Sequence, residues 1–181
     1  MIRKYALIKI VRGIIRKRGE FSISEIARGL KISSSTSKEA LDFLFSQNIL
    51  SKREVGKNIL FKVQDSFMTK QVKILYSLSE INASGIVEEI ISKNKDVLSI
   101  VVYGSVARGD DDETSDIDLL IISRKDNILN GLKKEKNLGR EVTIIGYTYK
   151  EWKEKAEKDK VFYDNAIIDC IPIFGEKPVV A

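Results

Sequence analysis

The chain has 181 residues, of which 43% are hydrophobic and 31% are charged, and its net charge is +5. This length can bury one modest core or two small ones. No uninterrupted apolar run approaches the roughly 20 residues of a membrane helix. The single Cys170 cannot close an internal disulfide, and a sequence without His lacks the usual zinc ligand sets. We therefore expect a soluble cytoplasmic protein, without membrane contact, in which any metal is held by oxygen atoms.

The charge is divided unevenly along the chain. Residues 1–66 contain 14 Lys and Arg against 6 Asp and Glu, a net charge of +8, whereas residues 67–181 contain 17 against 20, a net charge of −3. Positive charge concentrated in one half favours a surface that binds nucleic acid. Because lysine-rich surfaces also keep proteins soluble, the charge alone leaves both interpretations open.

The first 66 residues predict three helices followed by a β-hairpin. Apolar residues recur at helical spacing from Tyr5 to Ile15. Two further apolar faces follow candidate serine caps, which are Ser22 or Ser24 for the second helix and a residue within 33–37 for the third. The pattern then changes to alternation on both sides of a turn at residues 56–58, which predicts two paired strands.

This order of elements, over roughly residues 1–63, resembles the winged helix-turn-helix domain. The resemblance implies that the third helix enters the major groove of DNA and that the hairpin, or wing, contacts phosphates. A domain used for dimerisation, or for contact with protein or RNA, is the alternative, because the third helix offers no Arg to read guanine. The candidates for DNA contact are Ser34, Ser35, Thr36 and Lys38 on the helix and Lys52, Arg53, Lys57 and Lys62 on the wing.

A further helix is predicted between the two halves of the chain. Residues 82–85 end it, and its apolar positions fall on one face. We interpret residues 67–84 as a connecting helix between a DNA-binding domain at 1–66 and a second domain at 85–181. The apolar stripe packs on its own domain or pairs with its copy in a homodimer. The residues of this stripe are Phe67, Ile74, Leu75, Leu78 and Ile81.

A strand followed by a Gly-Ser turn predicts a phosphate site. The β-branched run from Val97 to Val102 is typical of a buried strand and leads through Gly104 and Ser105 into a short helix. Glycine lets a phosphate approach the backbone, the serine hydroxyl donates to it, and the free N–H groups at the helix start point at the anion. A Gly-Ser turn alone is not diagnostic of this function.

A second buried strand, which continues into the apolar run from Leu119 to Ile122, bears two carboxylates. Because side chains alternate along a strand, Asp116 and Asp118 point to the same face, about 7 Å apart along the backbone. Such a pair beside a phosphate cradle suits Mg²⁺ or Mn²⁺, bridging to a nucleoside triphosphate. We interpret the acidic stretch 110–113 as a solvated loop. Arg108 either pairs with this loop or contacts phosphate.

The segments Gly104 to Asp110 and Ser115 to Leu120 together resemble the signature of the minimal nucleotidyltransferases of the DNA polymerase beta superfamily. The resemblance covers roughly residues 81–176 and implies a small mixed sheet flanked by helices. The whole chain is then expected to be α+β, with a winged helix-turn-helix domain in front. The resemblance assigns Gly104 and Ser105 to the triphosphate and Asp116 and Asp118 to the metal. Arg108 and Ser115 are further candidates for contact with the nucleotide.

The superfamily places a third carboxylate on a later strand, here residues 141–147, where it completes the metal site and acts as a base. Alignment leaves either Glu141 or Thr143 at this position, and alternation places both on one face. If Glu141 holds this position, the expected reaction moves a nucleoside monophosphate from a triphosphate onto a hydroxyl acceptor and releases pyrophosphate.

With Thr143 at that position, transfer becomes slow or is lost, because a placed base typically contributes about 10² to 10⁴-fold. The chain would then be a DNA-binding transcriptional regulator or an antitoxin-like protein. Its degenerate nucleotidyltransferase domain would act as a sensor or as a platform for a partner.

The C-terminal segment is interpreted as scaffold. Two helices, at 148–160 and 161–169, precede a strand at 171–174, in which Pro172 fits the edge of a sheet. The aromatic side chains interpreted as packing residues, not as platforms for bases, are Trp152, Phe162 and Tyr163.

Overall fold

The computed structural model describes the backbone of residues 2–125, 131–134 and 138–180, and the side chains of residues 6–125 and 138–180. The chain divides into two units, residues 1–76 and 77–181, called here the first and the second unit. Among the described residues, no helix is long and apolar enough to cross a membrane. The finer division into 1–66, 67–84 and 85–181 stays a prediction.

The first unit contains three complete helices, the beginning of a fourth, and a three-stranded antiparallel sheet of order β1-β3-β2. The helices and the hairpin lie where the periodicity of the sequence predicted them. The short strand β1 was not predicted, because two residues are too few to show alternation. The elements are α1 (Ile2–Ile14), β1 (Phe21–Ser22), α2 (Ile23–Leu30), α3 (Ser34–Ser46), β2 (Leu50–Val55) and β3 (Asn58–Val63).

Serine side chains begin two of these helices. The Ser22 hydroxyl accepts a hydrogen bond from the Glu25 backbone N–H at 3.2 Å, and the Ser33 hydroxyl accepts one from the Thr36 backbone N–H at 3.1 Å. Each cap satisfies a backbone donor that the helix itself leaves without a partner. The core that these helices enclose is centred on Ile10, Ile14, Leu41, Leu50 and Phe61, all buried.

Helix α4 (Phe67–Ser84) begins in the first unit and ends in the second. Ile81 is buried, as the predicted stripe requires, but Phe67 and Leu75 are 73% and 70% exposed. Packing on its own domain, one of the two uses predicted for the stripe, is therefore wrong for these two residues, and pairing in a homodimer stays a prediction. Val72 and Tyr76, which lie off the predicted stripe, pack against the core of the first unit instead.

The second unit is a mixed five-stranded sheet flanked by helices, with strand order β6-β7-β5-β4-β8. Strands β5 and β7 are parallel, and the other neighbours are antiparallel. This confirms the expected α+β class and the small mixed sheet, to which β6 is an unpredicted addition. The elements are α5 (Ile86–Lys93), β4 (Val97–Tyr103), α6 (Gly104–Arg108), β5 (Ile117–Ser123), β6 (Gly131–Lys134), β7 (Glu141–Thr148), α7 (Tyr149–Lys158), α8 (Lys160–Ile167) and β8 (Ile171–Gly175).

Both faces of this sheet are covered, which explains the continuous apolar runs in β4 and β5. Val102 and Leu119 belong to a core on one face, together with residues of α4 and α5. Val101 and Leu120 belong to a core on the other face, where Trp152 of α7 is fully buried. By alternation along β5, the residue at position 118 lies on the same face as Leu120.

Candidate active site

A tight turn at Gly104 brings the backbone against the carboxylate of Asp118. Gly104 has a φ of +72°, a conformation that side chains rarely adopt, at the junction of β4 and α6. A Cβ atom added at this position would lie 2.6 Å from the Asp118 Oδ2 atom. Only glycine therefore satisfies both the turn and the close approach of the carboxylate.

Asp118 lies on β5 between two neighbouring strands. It pairs with Tyr103 of β4 in antiparallel register and with Thr143 of β7 in parallel register. Burial raises the pKa of the Asp118 carboxyl above its ordinary value, and the charge of Asp116 raises it further. The positive charges of Arg108 and Arg140 act in the opposite direction. The fold thus holds two carboxylates close enough for one to disfavour ionisation of the other.

Asp116 lies outside the strand on which it was expected. Strand β5 begins at Ile117, so Asp116 is the last residue of the preceding loop, and its side chain is exposed. Its position therefore depends on how that loop is held, and not on the alternation of the sheet alone.

A buried ion pair holds this loop. Asp111 is fully buried and accepts a hydrogen bond from Arg140 Nη1 at 3.1 Å, and the Arg140 side chain is only 8% exposed. Arg140 Nε donates to the Ser115 carbonyl at 2.8 Å, and its Nη2 donates to the Asp116 carbonyl at 3.5 Å. The prediction that residues 110–113 form a solvated loop is wrong for Asp111, because Arg140 supplies a partner from a distant part of the chain.

Ser115 and Arg108 make contacts within the same loop. The Asp112 backbone N–H donates to the Ser115 hydroxyl at 3.0 Å, which closes a turn. The Asp112 carboxylate accepts from the Thr114 backbone N–H at 2.9 Å. Arg108 Nε donates to the Asp110 carboxylate at 3.1 Å, and both side chains are exposed. The sequence predicted that Arg108 contacts either the acidic loop or phosphate. In the structure, Arg108 pairs with the acidic loop.

The position that the resemblance assigns to a third carboxylate lies on β7. In the parallel register of β5 and β7, Thr143 pairs with Asp118. Glu141 is exposed and lies two residues earlier in β7, so the same register continued backwards sets it at the level of Asp116. Among the described residues, no three His, Cys, Asp or Glu side chains lie together as a metal-binding group. At the level of Asp118, β7 thus carries a threonine and not a carboxylate.

An aromatic cluster lies on the same face of the sheet as Asp118. Tyr103 packs edge-on against Phe162, with ring centroids 6.4 Å apart, and Tyr147 packs against Trp152 at 5.6 Å. Burial, followed by the charge of Asp118, raises the pKa of Tyr103 to about 12, so its hydroxyl stays protonated at neutral pH. The Trp152 Nε1–H donates to the Pro178 carbonyl at 2.8 Å. These contacts make the cluster a packing element, as the sequence predicted for Trp152 and Phe162.

The DNA candidates on α3 differ in exposure. Ser34, Ser35 and Lys38 are exposed, whereas Thr36 is half-buried and its hydroxyl lies 2.8 Å from that of Ser33. Three of the four helix candidates thus present their side chains to solvent.

The wing candidates differ in their partners. Arg53 donates two hydrogen bonds to the Glu20 carboxylate, at 2.6 and 2.7 Å, and these bonds lower the pKa of Glu20. Lys52 lies 3.7 Å from the Asp42 carboxylate and 4.4 Å from the centre of the Phe45 ring. Lys57 is exposed at the tip of the hairpin. Of these three cations, Lys57 is the one that the structure places at the turn itself.

The second unit thus combines a mixed sheet, a glycine turn at the end of β4, and two aspartates, Asp116 and Asp118, at the beginning of β5. The family model for the nucleotidyltransferase domain matches residues 84–169, and this match supports a nucleotidyltransferase domain in this segment of the second unit. No curated protein matches the chain.

Solved structures show limited likeness to the chain. The Hop2-Mnd1 complex of Giardia lamblia is 17% identical, with a TM-score of 0.35, over 51% of this chain and 58% of that chain. Reduced HlyU of Vibrio cholerae is 17% identical, with a TM-score of 0.30, over 42% of this chain and 88% of that chain. NolR of Sinorhizobium fredii is 24% identical, with a TM-score of 0.32, over 44% and 84% respectively. The chain thus spans little more than half of the Hop2-Mnd1 chain that it matches.

Proposed function

We propose that the chain binds a nucleoside triphosphate together with Mg²⁺ or Mn²⁺ and transfers a nucleoside monophosphate to a hydroxyl acceptor, releasing pyrophosphate. The observation that carries this proposal is the Asp118 carboxylate held against the backbone of Gly104. A carboxylate in this position faces the same turn through which a phosphate would approach. The family match of residues 84–169 supports the same reaction class.

The residues present fit a hard divalent cation. Asp116 and Asp118 offer only oxygen atoms, which Mg²⁺ prefers, and a few carboxylates plus substrate phosphates form its usual environment. Burial, and after it the charge of Asp116, raises the pKa of Asp118, and a bound cation would favour the charged form of this carboxylate. When bound, the ion supplies neutralisation of the charge that develops on the transferred phosphoryl group.

The chain's own residues have distinct roles in this proposal. Gly104 leaves the turn open, so that a phosphate oxygen contacts backbone N–H groups, and Ser105 adds a hydroxyl donor. Arg108, exposed beside the turn, exchanges its bond to Asp110 for a phosphate. Ser115 orients the loop through its bond to Asp112 and so acts on the nucleotide indirectly.

The proposal is tested by calorimetric titration of the full chain with Mg²⁺ and ATP. We expect the wild type to bind and Gly104→Ala to bind about tenfold more weakly, because the added Cβ displaces the Asp118 carboxylate. Gly85→Ala is the matched control, since Gly85 has nearly the same φ, +73°, but open space around its Cβ position. Absence of binding by the wild type would sink the proposal. Equal weakening by both substitutions would assign the effect to backbone strain and not to Asp118.

A second candidate function is favoured by the register of β7. Because Thr143 and not a carboxylate is level with Asp118, the domain would bind the metal and nucleotide without efficient transfer. In this case the chain is a DNA-binding regulator or an antitoxin-like protein, and nucleotide binding is the signal that it senses. Binding by calorimetry without release of labelled pyrophosphate would distinguish this function from the first.

We further propose that the first unit is a winged helix-turn-helix domain that binds DNA, with α3 in the major groove and the β2–β3 hairpin as the wing. The support is the arrangement of three helices and a hairpin, together with a net charge of +8 over residues 1–66. The exposed hydroxyls of Ser34 and Ser35 suit base edges or phosphates, and Lys38 and Lys57 suit phosphates.

Lys57→Ala is expected to weaken DNA binding at all sequences and to lower the slope of log affinity against log salt by about 1, because one phosphate contact is lost. Fluorescence anisotropy with a labelled duplex at several salt concentrations measures both quantities. Lys158→Ala removes the same charge from an exposed position in the second unit and serves as the control. An unchanged slope for Lys57→Ala would exclude a phosphate contact by the wing tip.

A further inference from the structure

Arg140 joins two segments that flank the candidate site. It lies immediately before β7, and its guanidinium reaches the loop that precedes β5, where it contacts Asp111, Ser115 and the Asp116 carbonyl. A planar guanidinium presents five donors in a fixed geometry, so one side chain can fix several acceptors at once.

The backbone carbonyls that accept hydrogen bonds from Arg140 belong to Ser115 and Asp116, so these bonds fix the position of Asp116. Asp116 stands outside β5, so the ladder of the sheet does not fix it. The bonds from Arg140 to the carbonyls of residues 115 and 116 hold this backbone directly, and the buried Asp111 holds the guanidinium from the other side. A lysine ammonium at this position is a point charge and cannot reproduce this set of bonds.

We propose that Arg140 is a positioning residue that holds the Ser115–Asp116 backbone in the geometry required for binding the metal and nucleotide. Arg140 acts on Asp116 through these hydrogen bonds and on Asp118 only through its charge, and it touches neither the ion nor the nucleotide. This inference rests on the proposed function, because it assigns a role toward the same site.

A role in positioning differs from a role in stability alone. Removing one member of a buried ion pair destabilises a protein because a charge is left buried, whereas replacing both members with apolar residues of similar volume is often neutral or stabilising. The double variant Asp111→Leu with Arg140→Met therefore keeps the packing and the net charge but removes the bonds to the two carbonyls.

The test measures thermal unfolding and the affinity for Mg²⁺ and ATP by calorimetry, using the full chain. We expect the double variant to unfold near the wild-type temperature and to bind about 10 to 100-fold more weakly, the range typical of residues that orient metal ligands. Arg140→Lys, which keeps a charge beside Asp111, is expected to weaken binding in the same direction and covers the case in which the double variant does not fold. Arg124→Met, an exposed change beyond the opposite end of β5, is the control.

Two outcomes would overturn the proposal, and they are distinguishable from each other. If the wild type binds metal and nucleotide and the folded variants bind equally well, Arg140 has no positioning role while the proposed function stands. If the wild type does not bind at all, the proposed function fails and this inference fails with it.

Discussion

Asp118→Asn is expected to reduce transfer of the nucleotide by about 10³-fold, the largest loss that we anticipate from a single substitution. The carboxylate is the group that would hold the cation against the turn at Gly104. A bound metal ion contributes several kcal/mol of charge stabilisation in such reactions, at about 1.4 kcal/mol per tenfold change in rate. Asparagine has nearly the same shape but carries no charge. Release of labelled pyrophosphate, measured at saturating ATP and Mg²⁺, gives the rates to be compared.

The same substitution is expected to stabilise the protein in the absence of metal. Burial and the neighbouring Asp116 raise the pKa of Asp118, which means that the fold disfavours its charged form. Asparagine carries no charge, so at pH 7 the substitution removes the unfavourable free energy of placing a charged carboxylate at this position in the folded protein. Chemical denaturation with a chelator present should show a higher midpoint for Asp118→Asn, and Asp169→Asn, an exposed change of equal charge, should show neither effect. A fall in stability together with the loss of transfer would point to a structural role for Asp118.

Strands β4 and β5 and the turn at Gly104 could be predicted because the residues that specify each of them are neighbours in the sequence. The length of the β-branched apolar run and the Gly-Ser pair that follows it specify where β4 ends and where the turn at Gly104 begins. The structure adds the reason why glycine is needed at position 104, the approach of the Asp118 side chain from the next strand. Sequence spacing alone contains no such contact.

The contacts that the sequence did not reveal join distant residues. Arg140 and Asp111 are 29 positions apart, and nothing in the acidic stretch 110–113 distinguishes the buried carboxylate from its exposed neighbours. The pairing of Arg53 with Glu20 spans 33 positions in the same way. Apolar periodicity predicts a buried face, but it does not show which apolar residues find a partner, and Phe67 and Leu75 of α4 remain exposed.

The choice between Glu141 and Thr143 illustrates the same limit. Both residues alternate onto one face of β7, so the sequence left two alternatives. The parallel register of β5 and β7 separates them, because it sets Thr143 beside Asp118 and leaves Glu141 at the exposed beginning of the strand. A base that accepts the proton of the attacking hydroxyl needs to lie within hydrogen-bonding reach of the reacting atoms. Position 143 is therefore the place where a carboxylate should have the greatest effect.

Thr143→Asp is accordingly expected to raise the rate of transfer by about 10² to 10⁴-fold, the usual contribution of a placed general base. The added charge beside Asp118 should also make stability depend more strongly on the cation, so that Mg²⁺ raises the unfolding temperature of the variant more than that of the wild type. Thr143→Asn, which has a similar shape and no charge, should do neither. Pyrophosphate release and thermal unfolding with and without Mg²⁺ measure the two effects. If Thr143→Asp brings no gain while Glu141→Gln abolishes transfer, Glu141 is the base, and the wild-type domain is a complete transferase.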